Sequence, residues 1–377
     1  MSTLLQQFSL GGHGAASPTI VVKDSIDIAG YRTTGASRAL ADVAPARQHA
    51  EVVQRLLDHG WHIVGKANMH ELAFGMTGLN AFTGTPVNPQ DATRIPGGSS
   101  SGSAAAVGAR LADAALGTDT GGSIRGPAAC CGVIGLKPTF GRVSRVGAAP
   151  ATSTLDCVGP FAREMRTIIA AMSAISPLFD LSIATSVASD TRVGIVRAEA
   201  RQDISEAVEL AVRNANFALE PIDLPGLADA FTAGLSIINR ETSAAFGHLV
   251  ETGQLQPDLE ARLRAAANTS NQDVENAERV RAHFTRAVDH ALETVDVLVM
   301  PTLPDFPITL EQARNGTSVI AMSSLIRPFN LSGHPALSLP ITVKNTALKA
   351  GLQIIGRHGA DERVCAVASR IEAALSA

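Results

Sequence analysis

Ser123 lies in the run Gly117-Thr118-Asp119-Thr120-Gly121-Gly122-Ser123-Ile124-Arg125-Gly126-Pro127. A second glycine-serine cluster, Gly97-Gly98-Ser99-Ser100-Ser101-Gly102, precedes it by one helix-sized stretch. Glycine lets the backbone approach a ligand closely and aim successive N–H groups at one point, as an anion or a developing oxyanion requires. Serine in both loops adds hydroxyls able to attack a carbonyl or pass a proton. One such cluster marks a turn; two in tandem, flanked by small residues, point to a site.

Other chemistries fit less well. Gly98-Ser99-Ser100-Ser101-Gly102 matches G-x-S-x-G with Ser100 at its centre, but a nucleophile elbow must follow a strand. The preceding Asp91-Ala92-Thr93-Arg94-Ile95-Pro96 holds charges, a proline and no apolar run. Among His248, His283, His290, His334 and His358, none stands out by context as a base. The chain has no GxxxxGK[ST], and no G-x-G-x-x-G in a strand-to-helix setting, so neither ATP nor NAD is expected. His70-Glu71 begins like H-E-x-x-H, but position 74 is Phe, and no metal or other cofactor is expected. A nucleophile activated without histidine remains, and a lysine can serve if desolvation keeps its amine neutral near pH 7. Lys23, closing the β-branched run Thr19-Ile20-Val21-Val22, is placed for that role, although composition alone reads it as a solvated lysine.

The elements that must position these residues are legible in outline. Thr19 to Asp24 reads as a strand, residues 47–59 as a helix stopped by Gly60, and Trp61 to Val64 as a strand. Residues 103–111 read as a small-residue helix and 114–117 as a short strand entering the second cluster. Residues 173–191 have the character of a connection, and Val193 to Val196 that of a strand. A helix is expected near Asp203 or Ser205, either of which could cap it. A longer helix over 273–294 runs into a buried strand, 295–301. Apolar runs at 337–343 and 352–355 and a helix over 361–375 close the pattern. Such alternation argues for one α/β sheet with helices on both faces.

At 377 residues with 45% hydrophobic and 18% charged content, the chain can bury a large core. A net charge of −4, with Lys and Arg scattered, gives no basic stripe, so no nucleic acid or anionic membrane is expected as a partner. Cys130, Cys131, Cys157 and Cys365 have no metal-ligand spacing and read as reduced core residues, and the first residues lack a signal-peptide pattern. The expected location is cytoplasmic.

Together these segments resemble the amidase signature family. The resemblance is carried by Val21-Val22-Lys23-Asp24-Ser25-Ile26-Asp27, Gly65-Lys66-Ala67-Asn68-Met69-His70-Glu71, the cluster from Pro96 to Ser103 and the run from Gly117 to Pro138. Phe140-Gly141-Arg142-Val143-Ser144 and Ser153-Thr154-Leu155-Asp156 extend it, with weaker matches at 296–302, 330–340 and 351–356. The resemblance implies a single α/β domain with a mixed central sheet covered by helices on both faces. Its catalytic core would span about 18–160, its substrate-pocket and helical region about 190–335, and its C-terminal strands and helix 336–377. It implies Ser123 as the acylated nucleophile, Ser99 as a bridging serine preceded by a cis peptide bond, and Lys23 as the general base. The backbone amides of Thr120, Gly121, Gly122 and Ser123 would form the oxyanion hole, with Ser100, Asp119 and Arg125 as the surrounding polar shell. Lys66 would be structural.

The resemblance also embraces the glutamine-hydrolysing component of the tRNA amidotransferases, and a non-catalytic scaffold of the same fold is a further alternative. Cys157 stands where that component is expected to carry glutamine, which favours a stand-alone amidohydrolase. Cys157 and Arg327 are the candidate substrate-binding residues, Arg327 as a holder of a carboxylate. Carboxylated ureas, dicarboxylic monoamides and aryl acetamides all stay open. The expected partners are a small-molecule amide and, as an open option, a second copy of the chain, although the near absence here of the helical N-terminal segment of many relatives speaks against their oligomer contacts.

Overall fold

In the computed structural model, residues 3–376 apart from 13 and 15 are described. Eleven strands are found among them: β1 (Leu4–Gly11), β2 (Thr19–Lys23), β3 (His62–Ala67), β4 (Ala114–Asp119), β5 (Ile134–Lys137) and β6 (Cys157–Ala162). The rest are β7 (Val193–Val196), β8 (Leu219–Ile222), β9 (Val297–Pro301), β10 (Ala336–Thr342) and β11 (Lys349–Gly356). They join in one sheet ordered β1-β3-β2-β4-β6-β5-β10-β11-β9-β7-β8. Strand β2 runs parallel to β3 and β4, β7 parallel to β8 and β9, and the remaining joins are antiparallel. The sheet is therefore mixed, and the chain is one α/β domain.

Strand β2 shows why both faces must be covered, since Ile20, Val21 and Val22 are all fully buried. Successive side chains point to opposite faces. Ile20 and Val22 pack with Val53, Leu56, Ile168, Met172 and Ile371, from the helices Glu51–Asp58, Met165–Ile175 and Asp361–Ser376. Val21 packs the other way, with Ala104, Val107 and Ala128 from the helices Ser101–Gly108 and Arg125–Cys131. A second cluster on the far half of the sheet joins Leu298, Met300 and Ile355 to Ile237, Phe284 and Val288 of the helices Leu227–Phe246 and Asn271–Thr294. The last of these starts with a capping box between Ser270 and Asp273.

Several elements depart from the sequence reading. The connection expected over 173–191 contains the end of the helix Met165–Ile175 and the short helix Leu181–Ala184. The helix expected to start at Asp203 or Ser205 is Gln202–Asn214. Neither residue caps it; Asp203 sits in its first turn and pairs with Arg201, the N-cap residue. Strands β1, β5, β6 and β8 and the helices Leu227–Phe246 and Pro257–Ala266 were not anticipated.

Candidate active site

The parallel strands β2 and β4 end side by side, and in parallel sheets the carboxyl ends are where functional loops collect. Lys23 closes β2 and Thr118-Asp119 close β4. The Ser99–Ser101 turn opens the helix Ser101–Gly108, and the loop 120–124 opens the helix Arg125–Cys131. Lys23 is fully buried, with Nζ 2.8 Å from Ser99 Oγ and 2.7 Å from Thr118 Oγ1. Burial lowers its pKa from 10.5 to about 7, against the opposing pull of Asp156 and Asp119. The Gly98–Ser99 peptide bond is cis. Ser100 ties the two loops: its N–H donates to Ser123 O at 3.3 Å and its Oγ–H to Thr118 O at 3.2 Å.

Ser123 is 5% exposed and lines a cavity of about 280 Å³. Its hydroxyl makes no hydrogen bond among the described residues, so the structure joins Lys23 to Ser99 but leaves Ser99 and Ser123 without a direct bond. The loop itself is held by Asp119. That carboxylate accepts from the amides of Gly122 (2.7 Å), Ile124 (3.1 Å) and Arg125 (3.3 Å), from the Arg125 guanidinium at 3.0 Å twice, and from Asn330 Nδ2 at 2.8 Å. Burial alone would raise the Asp119 pKa, but the Arg125 charge and these hydrogen bonds outweigh it and hold the carboxyl well below its usual value. Arg125, itself fully buried, also donates to Ile326 O, Gln353 Oε1 and Asn330 Oδ1.

This bracing separates the four amides expected to converge. The Gly122 N–H is taken by Asp119, while those of Thr120, Gly121 and Ser123 have no acceptor among the described residues. Gly122 is glycine for two reasons: its φ is +114°, and a Cβ there would lie 2.1 Å from Ile326 Cδ1. Three free amides beside a hydroxyl facing a cavity can bind a carbonyl oxygen and stabilise it as negative charge develops.

The remaining expected residues fall in different places. Lys66 is buried in an ion pair with Asp24, Nζ to Oδ1 2.9 Å. Cys157 opens β6, is buried and does not line the cavity. Its Sγ packs 4.0 Å from Lys137 Nζ, and burial raises its pKa to about 11. Arg327 does line the cavity, with Ser123, Leu235, Ile238, Arg262 and Ile320 among its neighbours there. Sequence reading missed Thr118 and Asn330, though both stand inside the runs that carried the resemblance. It also missed His70 and Arg262, paired at 3.1 Å, where burial first, then Arg262 and Lys23, hold the imidazole pKa down at about 3. Elsewhere Asp289, His334 and His358 bring possible ligand atoms within 4.8 Å of one another, but none of the three lines this cavity. No helix among the described residues is long and apolar enough to cross a membrane.

A sequence model of the amidase family matches residues 18–365. The A component of the glutamyl-tRNA(Gln) amidotransferase of Methanospirillum hungatei JF-1 is 34% identical over 406 residues, covering 96% of this chain and 94% of its own length. Among solved structures, the corresponding glutamyl-tRNA(Gln) amidotransferase chain of Thermotoga maritima superposes with a TM-score of 0.83 at 30% identity, over 98% of this chain and 87% of that one. An inhibitor-bound vestigial protein complex, described as revealing the origins of an s-triazine catabolic enzyme, superposes with a TM-score of 0.88 at 28% identity. That match covers 94% of this chain and 83% of the other.

Proposed function

The chain belongs to the amidase family, and we propose that it is a stand-alone amidohydrolase that cleaves the C–N bond of a small carboxylic amide through an acyl-enzyme on Ser123. The observation that carries this reading is Lys23: a buried amine with a pKa near 7, in contact with Ser99 and, among the described residues, without a carboxylate at ion-pairing distance. Ser123 Oγ attacks the carbonyl carbon as its proton passes to Ser99, whose own proton passes to Lys23 Nζ. The carbonyl oxygen takes the negative charge against the free amides of Thr120, Gly121 and Ser123, where one donor is typically worth about 3 kcal/mol. Return of the proton through Ser99 to the nitrogen breaks the C–N bond and releases ammonia or an amine. Water then attacks the Ser123 ester by the same relay and frees the acid.

The names of the curated relatives favour a second reading, in which the chain hydrolyses glutamine and hands ammonia to a partner for tRNA amidation. Against it, glutamine carries an ammonium group, and no Asp or Glu among the described residues lines the cavity. Ammonia release from a panel of primary amides, together with labelling by a serine-directed fluorophosphonate, tests the proposal. The label is expected on wild type and absent from Ser123→Ala. A chain that takes no label is a scaffold. One that releases ammonia from glutamine alone, and passes it to charged tRNA with partner proteins, is the amidotransferase component.

A further inference from the structure

The cavity that Ser123 lines has a one-sided charge: Arg262 and Arg327 form part of its wall, and no acidic residue among those described does. Arg262 is accounted for, with Nη2 3.2 Å from Asp258 Oδ2 and 3.1 Å from His70 Nε2. Arg327 is not. It is 6% exposed, and no carboxylate among the described residues lies within ion-pair distance. Its Nη1 donates to Phe231 O at 3.2 Å, its Nη2 to Ser323 Oγ at 2.6 Å, and its guanidinium lies 4.3 Å from the centre of the Phe231 ring. Its Nε–H is buried without an acceptor.

A guanidinium carries five N–H donors, and two bonds to neutral oxygens with the Phe231 ring face, a weak cation–π partner, leave the charge without a counter-ion. A buried and unpaired charge is strongly unfavourable, yet the fold makes room for this one. A Cβ on Gly234 would lie 3.0 Å from Arg327 Cγ and Cδ, so the helix Leu227–Phe246 carries glycine where the arginine stem crosses it. Burial lowers the Arg327 pKa to about 10, which still leaves it cationic at neutral pH.

We infer that Arg327 anchors a carboxylate of the substrate, so that the amide cleaved at Ser123 is a small monoanion without an ammonium group. This rests on the amidohydrolase reading. A carboxylate meets the guanidinium fork with paired, charge-assisted hydrogen bonds, and it supplies the counter-ion that the wall lacks. An ammonium group would instead face two arginines and no acid, which sets glutamine aside. A neutral aryl amide would leave Arg327 uncompensated. Dicarboxylic monoamides and carboxylated ureas satisfy both demands within a cavity of about 280 Å³.

Matched pairs of amides test this: malonamic, succinamic and glutaramic acids against propionamide, butyramide and valeramide, each pair exchanging a carboxylate for a methyl group. For the best-fitting length, wild-type kcat/KM is expected to favour the acid by about 100-fold, the scale of a charge-assisted pair. That ratio should collapse toward unity in Arg327→Met and be partly retained in Arg327→Lys. Equal rates, or preference for the neutral amide at every length, overturn the inference while leaving the hydrolase reading standing. Calorimetric binding of the same compounds to Ser123→Ala separates the two conclusions and needs no folded Arg327 variant. Selective binding of an acid without wild-type turnover of any amide keeps the anion site and sinks the hydrolase. Absence of selective binding sinks the anion site.

Discussion

Lys23 and Lys66 stand at the carboxyl ends of the neighbouring parallel strands β2 and β3, each at most 1% exposed, and of the two only Lys66 has a counter-ion among the described residues. Lys66 Nζ lies 2.9 Å from Asp24 Oδ1 and donates to Arg32 O and Thr33 Oγ1. Asp24 follows Lys23 directly, in the turn that leaves β2, where its carboxylate reaches Lys66. The nearest acid in sequence is thereby turned away from Lys23 and toward Lys66. Two hydroxyls, those of Ser99 and Thr118, are what Lys23 Nζ touches. In the proposed mechanism this division makes one lysine a fixed charge and the other a base.

The pH dependence follows from that environment. Lys23 accepts a proton only as the neutral amine, and its pKa is near 7. Amide kcat/KM is expected to rise about ten-fold per pH unit below neutrality and to level off above it. A profile that stays flat through the neutral region, measured with a neutral amide, would remove Lys23 as the base.

Replacing Lys23 by Met should separate activity from stability. Activity is expected to fall by about 10³-fold or more. The folded pKa of about 7 lies below the 10.5 of an unperturbed lysine, so between these values the unfolded chain binds more protons and stability rises with pH. The penalty of burying Lys23 is therefore complete below pH 7 and fades toward 10.5. Thermal unfolding should show Lys23→Met more stable than wild type at acid pH, with the gap narrowing at alkaline pH. A constant gap would refute the shifted pKa.

Strands such as β2 and β9 were legible because β-branched, apolar runs have few other readings. Strand β6 was not, since Cys157-Val158-Gly159-Pro160-Phe161-Ala162 holds a glycine and a proline that speak against a central strand. The structure accommodates them: the β5–β6 ladder ends at Gly135 and Phe161, one residue before Pro160, which has no N–H to give. The pocket walls were hidden for another reason. The helix Leu227–Phe246 starts at Gly226 with no side-chain cap to announce it. The serines and Lys23 could be read from local motifs, whereas the pairing of Arg262 with His70 joins residues remote in sequence.

Gly122→Ala tests the loop. A Cβ 2.1 Å from Ile326 Cδ1, at φ +114°, must displace either the isoleucine or the 120–124 turn. Overpacking of this kind costs about 1–3 kcal/mol. The larger effect is expected on kcat, because moving the turn misdirects the Gly121 and Ser123 amides. A variant destabilised in urea but with unchanged kcat would show that the amides do not form the oxyanion site.

Asp119→Asn removes the carboxylate from the buried pair with Arg125. Losing one partner of such a pair is destabilising by about 3–5 kcal/mol, because the surviving charge stays buried. Urea unfolding should therefore report a loss in that range, with activity falling alongside it. A loss under about 1 kcal/mol would mean that Asn330 and Gln353 suffice to hold Arg125.

Thr118 offers the sharpest test of the relay, because its contact is with the base and not with the cavity. A neutral lysine has two N–H donors and one lone pair. If Thr118 Oγ1 accepts one N–H at 2.7 Å, the lone pair can turn toward the Ser99 hydroxyl at 2.8 Å. Thr118→Val keeps the shape and removes that acceptor. The amine then loses its orientation, and kcat is expected to fall about 10-fold with KM little changed, at the low end of what positioned proton transfer contributes. An acceptor also favours the charged ammonium, so its loss should move the acid limb of the pH profile to lower pH. A structural role alone would lower stability and leave that limb in place. A downward shift of the limb together with a reduced kcat would mark Thr118 as the residue that positions the base.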